Sequence, residues 1–472
     1  MTEQALTRVR QWVAAHEQEL IDDLASLVRI RSVSEPDGRY AMGEGCARCA
    51  DRAIAIGQKW GFPGENHDYY CVSLLMKGDS SVELGILGHL DVVPEGSGWS
   101  FDPYGATLED GYMIGRGAGD NKGACVMSLY AMRCIRELGL PVRSDIRLIM
   151  GFNEESGMKD VEHYLQTMTP PRFTLVCDGA WPMITGEKGI LTADLVTALP
   201  TGNLLAFHGG ITSNSVPDSA WAEIRTGRRA SQVRERDGIQ VTETDGGLRI
   251  QATGKACHAM APENGVNAIY VLSACLLEEE LLEGDALRAV RFVHQITRSC
   301  YGEGLHIQWT DDISGRTTCI AGMCRLEKTE LHLHINVRYA IESDRQAQRE
   351  HLLAACAAAG FRAERLTDSP PRYMSAEEEP AAGLLDLYRR MTGDMSAPIV
   401  MGGGTHARKF PNALPFGPGH WGEPGRFGGA HSVDEAVCLR HLTEAIPIYV
   451  AALLQLDAYF HSPESTGEES HV

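Results

Sequence analysis

Three short apolar runs, each ending in side chains able to hold a metal ion, constrain this fold more than any other feature of the sequence. Residues 84–87 feed into GHLDVVPEG, which puts His89 at the end of the run and Asp91 two positions on. Residues 145–152 end in Asn153, Glu154, Glu155, Ser156 and Gly157, and residues 173–177 end in Asp178 and Gly179. Apolar runs of this length bounded by turn residues read as buried strands. A helical pattern over 124–138 and another after Gly157 lie between them. Strands alternating with helices imply a mainly parallel α/β sheet, whose functional groups gather at the carboxyl ends of the strands. The three runs therefore predict one edge carrying an imidazole and several carboxylates.

A chain of 472 residues is too long for one ordinary core, so two domains are expected, one of them discontinuous. With 43% hydrophobic and 22% charged residues it has the profile of a globular enzyme. No apolar run reaches membrane-spanning length. The opening MTEQALTRVRQWVAAHEQEL mixes acids and bases in an amphipathic pattern unlike a signal peptide, which predicts a cytoplasmic protein with no membrane partner. A net charge of -20 argues against a nucleic-acid partner, because phosphate binding needs a basic surface. The 13 cysteines follow no repeating framework and are expected as reduced thiols, including Cys46 and Cys49 in a helical C-x-x-C.

Further along, GRGAGDNKG at 115–123 is a tight turn that opens the helix of 124–138 and presents Asp120. It meets neither the phosphate-loop nor the dinucleotide pattern. After about Lys188 the composition shifts to strands at 190–199, 219–226, 247–254 and 330–339, with a helix at 267–282. This predicts an α+β domain inserted at 189–375 between two parts of a first domain, 1–188 and 376–472. The second part carries the glycine-rich MGGGTHAR and FGPGHWGEPG, then GGAHSVDE with His431, a final helix at 434–456 and a polar tail from Ser462 expected to be disordered.

Taken singly, each of these residues has an ordinary explanation. A His-x-Asp at a strand end is commonly a turn, an Asp before a helix a cap, and paired acids a complement to the helix dipole. Together, His89, Asp120, Glu155, Asp178 and His431 offer two imidazoles and three carboxylates. That set suits two divalent ions of borderline preference, zinc first, with one carboxylate bridging.

These motifs resemble, in order and over nearly the whole chain, the metallopeptidases that include acetylornithine deacetylase, succinyl-diaminopimelate desuccinylase, carboxypeptidase G, carnosinase and bacterial broad-specificity dipeptidases. The resemblance implies an α/β catalytic domain with a mixed, mainly parallel sheet flanked by helices, and an inserted α+β lid. It implies that His89, Asp120 and Asp178 hold one metal and Asp120, Glu155 and His431 the other, with Asp91 orienting His89 and Glu154 acting as general base. In the inserted domain His258 of GKACHAMAPENGVNA matches a lid histidine that stabilises the oxyanion. Asn214 of GGITSNSVPDSA, Arg338 of HINVRY and the glycines Gly403 and Gly404 match substrate-binding positions. Asp178 followed by ITGEKG, together with GGGTHAR, resembles the dipeptidase branch, although His406 stands where that branch usually has tyrosine.

The resemblance further implies a small peptide substrate with a free C-terminal carboxylate, and a monomer, because the insertion has the length of a doubled lid. Manganese or cobalt are alternatives to zinc. An N-acyl-amino-acid deacylase or carboxypeptidase on the same scaffold is the alternative activity, and a non-catalytic metal-binding or assembly protein the alternative class.

Overall fold

The computed structural model describes residues 1–420 and 425–462. The tail expected to be disordered, at 463–472, and residues 421–424 of FGPGHWGEPG lie outside them. The chain divides into two compact units, Met1–Thr185 with Met374–Ile399 and Thr405–Val472, and Gly186–Tyr373 with Val400–Gly404.

The first unit is built on a six-stranded sheet in the order Gly64–His67, Cys71–Met76, Asp145–Gly151, Glu83–His89, Phe173–Val176, Ala413–Pro415. The central strand Glu83–His89 runs parallel to both neighbours, and Ala413–Pro415 runs parallel to Phe173–Val176. The two strands at the far edge pair antiparallel. Alternation sorts the side chains onto two faces. Leu84, Ile86, Ile146, Leu148, Met150, Phe173 and Leu175 enter the main core, where they join helices Glu3–Val28, Gly123–Glu137 and Leu439–Phe460. Leu87, Ile149 and Val176 face a smaller cluster with Val161 and Tyr164 of helix Lys159–Thr167, and with Ala407 and Phe410. Helix Gly123–Glu137 is buried at all but its last two residues, Arg136 and Glu137, as a helix packed against both the sheet and the helices Glu3–Val28 and Leu439–Phe460 must be.

The final helix starts at Leu439, not at Asp434 as its sequence pattern suggests. Residues Ala436–Cys438 instead form a strand against Tyr112–Ile114, and Asp434 sits at φ 54°, outside helical space.

The second unit has an eight-stranded, wholly antiparallel sheet in the order Ile239–Thr244, Gly247–Thr253, Ser219–Arg225, Leu204–Gly209, Thr318–Glu327, Glu330–Tyr339, Gly189–Ala198, Arg362–Ser369. Helices Ala268–Glu278, Gly284–Thr297 and Arg345–Ala358 contribute to its core. The helix expected at 267–282 is shorter, Ala268–Glu278, and a separate one, Gly284–Thr297, follows it. Glu280 at φ 51° ends the first, while Leu281 and Leu282 stay buried in the turn and prolong the apolar pattern past the true end. All 13 cysteines are free thiols, and Cys46 and Cys49 are buried on helix Glu44–Lys59.

Candidate metal centre

Register decides which groups meet. His89 pairs with Gly151 across one parallel ladder and Leu87 with Val176 across the other, so the carboxyl ends of three strands lie level. His89 is fully buried. Its Nδ1 lies 3.0 Å from the carbonyl oxygen of Asp91, which fixes the Nδ1–H tautomer and leaves Nε2 as the outward donor atom. Nε2 lies 3.0 Å from Asp120 Oδ1 and 3.7 Å from Asp178 Oδ2.

The carbonyl of Asp91, rather than its carboxylate, makes the hydrogen bond to His89. The carboxylate, 3.4 Å from Nδ1 at its nearest, accepts the backbone N–H groups of Glu154 at 3.2 Å and Glu155 at 3.1 Å. Asp91 thus ties the histidine strand to the acidic turn.

Asp120 lies between the two imidazoles, with Oδ1 toward His89 and Oδ2 3.3 Å from His431 Nε2. Glu155 Oε1 approaches the same His431 nitrogen at 2.9 Å. Donor atoms of His89, Asp120 and Glu155 fall within 4.8 Å of one another, as do those of His89, Glu154 and Asp178. All the ligand-type residues anticipated from the strand ends and loops therefore converge in the first unit, with Glu154 among them.

The electrostatics are those of a site with too much negative charge for protein alone. Burial, then Asp178, pushes the Glu154 carboxyl well above its ordinary range. Burial pushes Asp178 up to about 7, with His89 opposing and Asp120 adding to the shift. Hydrogen bonds to Asp120 and Glu155 lift His431 to about 10. Burial works against a charged His89, yet the carboxylates of Asp120 and Asp91 beside it outweigh that and hold its pKa well above normal. Four carboxylates sharing so small a space with two imidazoles fit divalent cations, which would neutralise the acids without extra protons.

Two residues that sequence reasoning missed hold this arrangement. Glu435 is buried, and its Oε1 accepts the N–H groups of Gly117, Gly119 and Asp120 at 3.0, 3.1 and 3.1 Å, while Oε2 meets Arg116 Nη1 at 2.5 Å. Asn121 donates to the carbonyl of Cys177 at 2.9 Å and accepts from the His89 N–H at 3.3 Å. The only signal for either is adjacency to a ligand, four residues after His431 and one after Asp120.

In the second unit the anticipated lid residues also gather. Ser215 pairs with His258, the Asn214 carbonyl accepts the Ala259 N–H at 2.9 Å, and the Thr318 hydroxyl donates to the Ala259 carbonyl at 3.1 Å. Thr318 pairs in turn with Arg338. Arg338 is buried, donating from Nε to Asn336 Oδ1 at 2.8 Å and from Nη1 to the Gly402 carbonyl at 2.9 Å, next to Gly403 and Gly404. His258 Nδ1 accepts the Met260 N–H at 3.2 Å, which puts the proton of the neutral ring on Nε2. His406, at the other end of the glycine-rich loop, is fully buried in the first unit against Asp160.

Residues 85–455 match the peptidase family M20/M25/M40. The chain belongs to this family. It is a hydrolase, a metallopeptidase of the M20 type. A relative in Bacillus subtilis (strain 168), named "Putative dipeptidase YtjP", is 31% identical over 466 residues, covering 94% of this chain and 98% of its own length. Among solved structures, human carnosine dipeptidase 1 matches 96% of this chain and 99% of its own with a TM-score of 0.58 at 15% identity. The di-peptidase Dug1p of Saccharomyces cerevisiae matches 98% of this chain and 100% of its own, also at 0.58, with 14% identity. At such identities these two show the shared M20 fold, a catalytic α/β domain with an inserted second domain. Among the described residues no helix is long and apolar enough to cross a membrane.

Proposed function

We propose that this M20 peptidase is a dipeptidase of the cytoplasm that works as a monomer with two divalent ions, zinc first among them. The observation that carries the proposal is Asp120 set between His89 and His431, each with further carboxylates beside it. His89, Asp120 and Asp178 would hold one ion and Asp120, Glu155 and His431 the other. Such a pair supplies Lewis acidity to the scissile carbonyl and lowers the pKa of a water molecule.

The remaining steps belong to the chain. Glu154 takes a proton from the attacking water and returns it to the leaving amine. Asp91 supports this by holding the Glu154 and Glu155 amides on the same carboxylate that flanks His89. The second unit acts as the lid. His258, with its proton on Nε2, donates to the oxyanion. Asn214, Gly403 and Gly404 bind the peptide backbone, and Arg338 clamps a free C-terminal carboxylate with the planar donor fork that lysine lacks.

A hydrolysis screen of dipeptides against N-acyl-amino acids, with zinc, manganese and cobalt each supplied, tests the proposal. Preference for acylated amino acids would make the enzyme a deacylase on the same scaffold, and a carboxypeptidase would accept longer peptides. Loss of all turnover in every metal would leave a binding protein. Light scattering checks the oligomeric state, with a stable dimer at micromolar concentration contradicting the monomer.

A further inference from the structure

Behind the metal centre, on the side of the smaller core cluster, lies a second His–Asp pair to which the proposed mechanism gives no task. His406 and Asp160 are both fully buried. His406 Nε2 stands 3.1 Å from Asp160 Oδ2 and 3.3 Å from Oδ1. The other ring nitrogen, Nδ1, is buried and meets no hydrogen-bond partner among the described residues. A neutral ring donating from Nε2–H to the carboxylate leaves only a lone pair unsatisfied, a smaller penalty than a buried orphan N–H. Asp160 therefore sets the tautomer of His406.

Both members of the pair touch the catalytic machinery. The rings of His406 and His89 meet edge to face, with centroids 6.2 Å apart and an interplanar angle of 86°. Asp160 Oδ2 also accepts the backbone N–H of Asn153 at 2.8 Å, and Oδ1 that of Val161 at 2.8 Å. Asn153 immediately precedes Glu154 and Glu155, and its own side chain closes the turn by accepting from the Lys159 N–H at 3.1 Å and donating to Ser156 Oγ at 2.7 Å. Asp160 thus anchors the start of the acidic turn from behind, while Asp91 holds it from the front.

The strand that leads into the turn is shaped around the pair. A Cβ on Gly151 would lie 2.1 Å from Asp160 Oδ2 and 2.9 Å from His406 Cε1, so only glycine fits where the carboxylate and the imidazole come together. Gly151 pairs with His89 in the parallel ladder. Strand end, acidic turn and metal-facing imidazole all lean on the same two side chains. Burying an acid and an imidazole side by side is costly, and a structural core would be served as well by an apolar pair of equal volume.

We propose that His406 and Asp160 form a positioning pair that fixes the His89 ring and the Glu154–Glu155 turn in the geometry needed to hold metal and to take a proton. The pair acts as a unit, through Asn153 on one side and His89 on the other. It touches no substrate. The proposal builds on the assignment of His89 and Glu155 as metal-holding residues and on Glu154 as the base, but not on the identity of the substrate.

The test uses the full chain with His406→Phe, which keeps the bulk against His89 and breaks the link to Asp160, with Asp160→Asn, and with the double variant. Metal affinity is read by chelator competition with zinc, ligand geometry by the visible spectrum of the cobalt-loaded protein, and turnover with a cleaved dipeptide at saturating metal. Each single variant should lose about ten- to a hundredfold in affinity, in kcat or in both. The cobalt spectrum should change and KM stay within about threefold. The double variant should be no worse than the poorer single, since the two act together. Phe410→Leu, which thins the same core cluster, serves as the control and should lower Tm alone. The proposal is overturned if the paired variants behave like this control, or if their losses are additive. If the wild-type chain binds cobalt but cleaves no dipeptide, the dipeptidase assignment falls, while affinity and spectrum still decide the role of the pair.

Discussion

Glu435 and Asp120 meet through the backbone: a single carboxylate oxygen of Glu435 accepts the Asp120 N–H at 3.1 Å and those of Gly117 and Gly119 beside it. The turn that presents the central acid is thereby wrapped around a buried anion delivered from the loop of His431. Because Arg116 balances the charge from the other side, Glu435→Gln should keep the shape but set an amide where either the N–H groups or the guanidinium expects an oxygen. Chelator competition should show metal affinity lower by about ten- to a hundredfold. Unchanged affinity would mean that the turn holds Asp120 without help.

Base and ligand are separable by composition. Glu154→Gln should cut kcat by about two to four orders of magnitude, the usual scale for losing a general base, while elemental analysis still finds the metal of the wild type. Asp120→Ala should lose metal along with activity. The reverse pattern would exchange the two assignments.

Arg338→Lys retains the positive charge but not the fork. With Nε and Nη1 already committed to Asn336 and Gly402, a lysine cannot both keep the strand-to-loop connection and receive a carboxylate. Its kcat/KM for a free-acid dipeptide should fall by at least about tenfold, a loss of about 1.4 kcal/mol. Equal rates on free-acid and C-terminally amidated dipeptides in the wild type would remove the clamp.

Metal removal should destabilise the first unit. An ion bound at a thousand times its Kd contributes about 4 kcal/mol to the folded state, and without it the acidic cluster repels itself. Calorimetry should give a Tm clearly lower in chelator than in zinc. Identical melting curves would argue that the cluster holds no metal.

The parts of the fold legible in the sequence are those where one physical signal decides alone. Leu84, Ile86 and Leu87 lie in a short apolar run between Glu83 and Gly88, and the polar groups just after it belong to a strand end in any parallel sheet. Arg338 and His258 were reachable only through resemblance, since a strand arginine and a turn histidine carry no local mark. Glu435 and Asp160 were hidden for a different reason. Each reads as an acid at the first turn of a helix, and their partners lie far along the chain, 315 residues for Glu435 with Asp120 and 246 for Asp160 with His406. The helix boundaries near Asp434 and Leu282 failed because apolar or acidic patterning continued through residues whose positive φ, or pairing as a strand, tertiary contacts had imposed.

The insertion of Gly186–Tyr373 between Asp178 and His431 has a consequence for biosynthesis. His89, Asp120, Glu155 and Asp178 all leave the ribosome early, yet the histidine opposite them, the carboxylate that braces the Asp120 turn and the helix Leu439–Phe460 that packs on Gly123–Glu137 come only with the last part of the chain. The whole second unit is therefore synthesised after His89, Asp120, Glu155 and Asp178 and before the parts of the first unit that complete their surroundings. A ribosome-stalled chain ending before Met374, which lacks His431 and Glu435, should bind zinc far more weakly than the released protein.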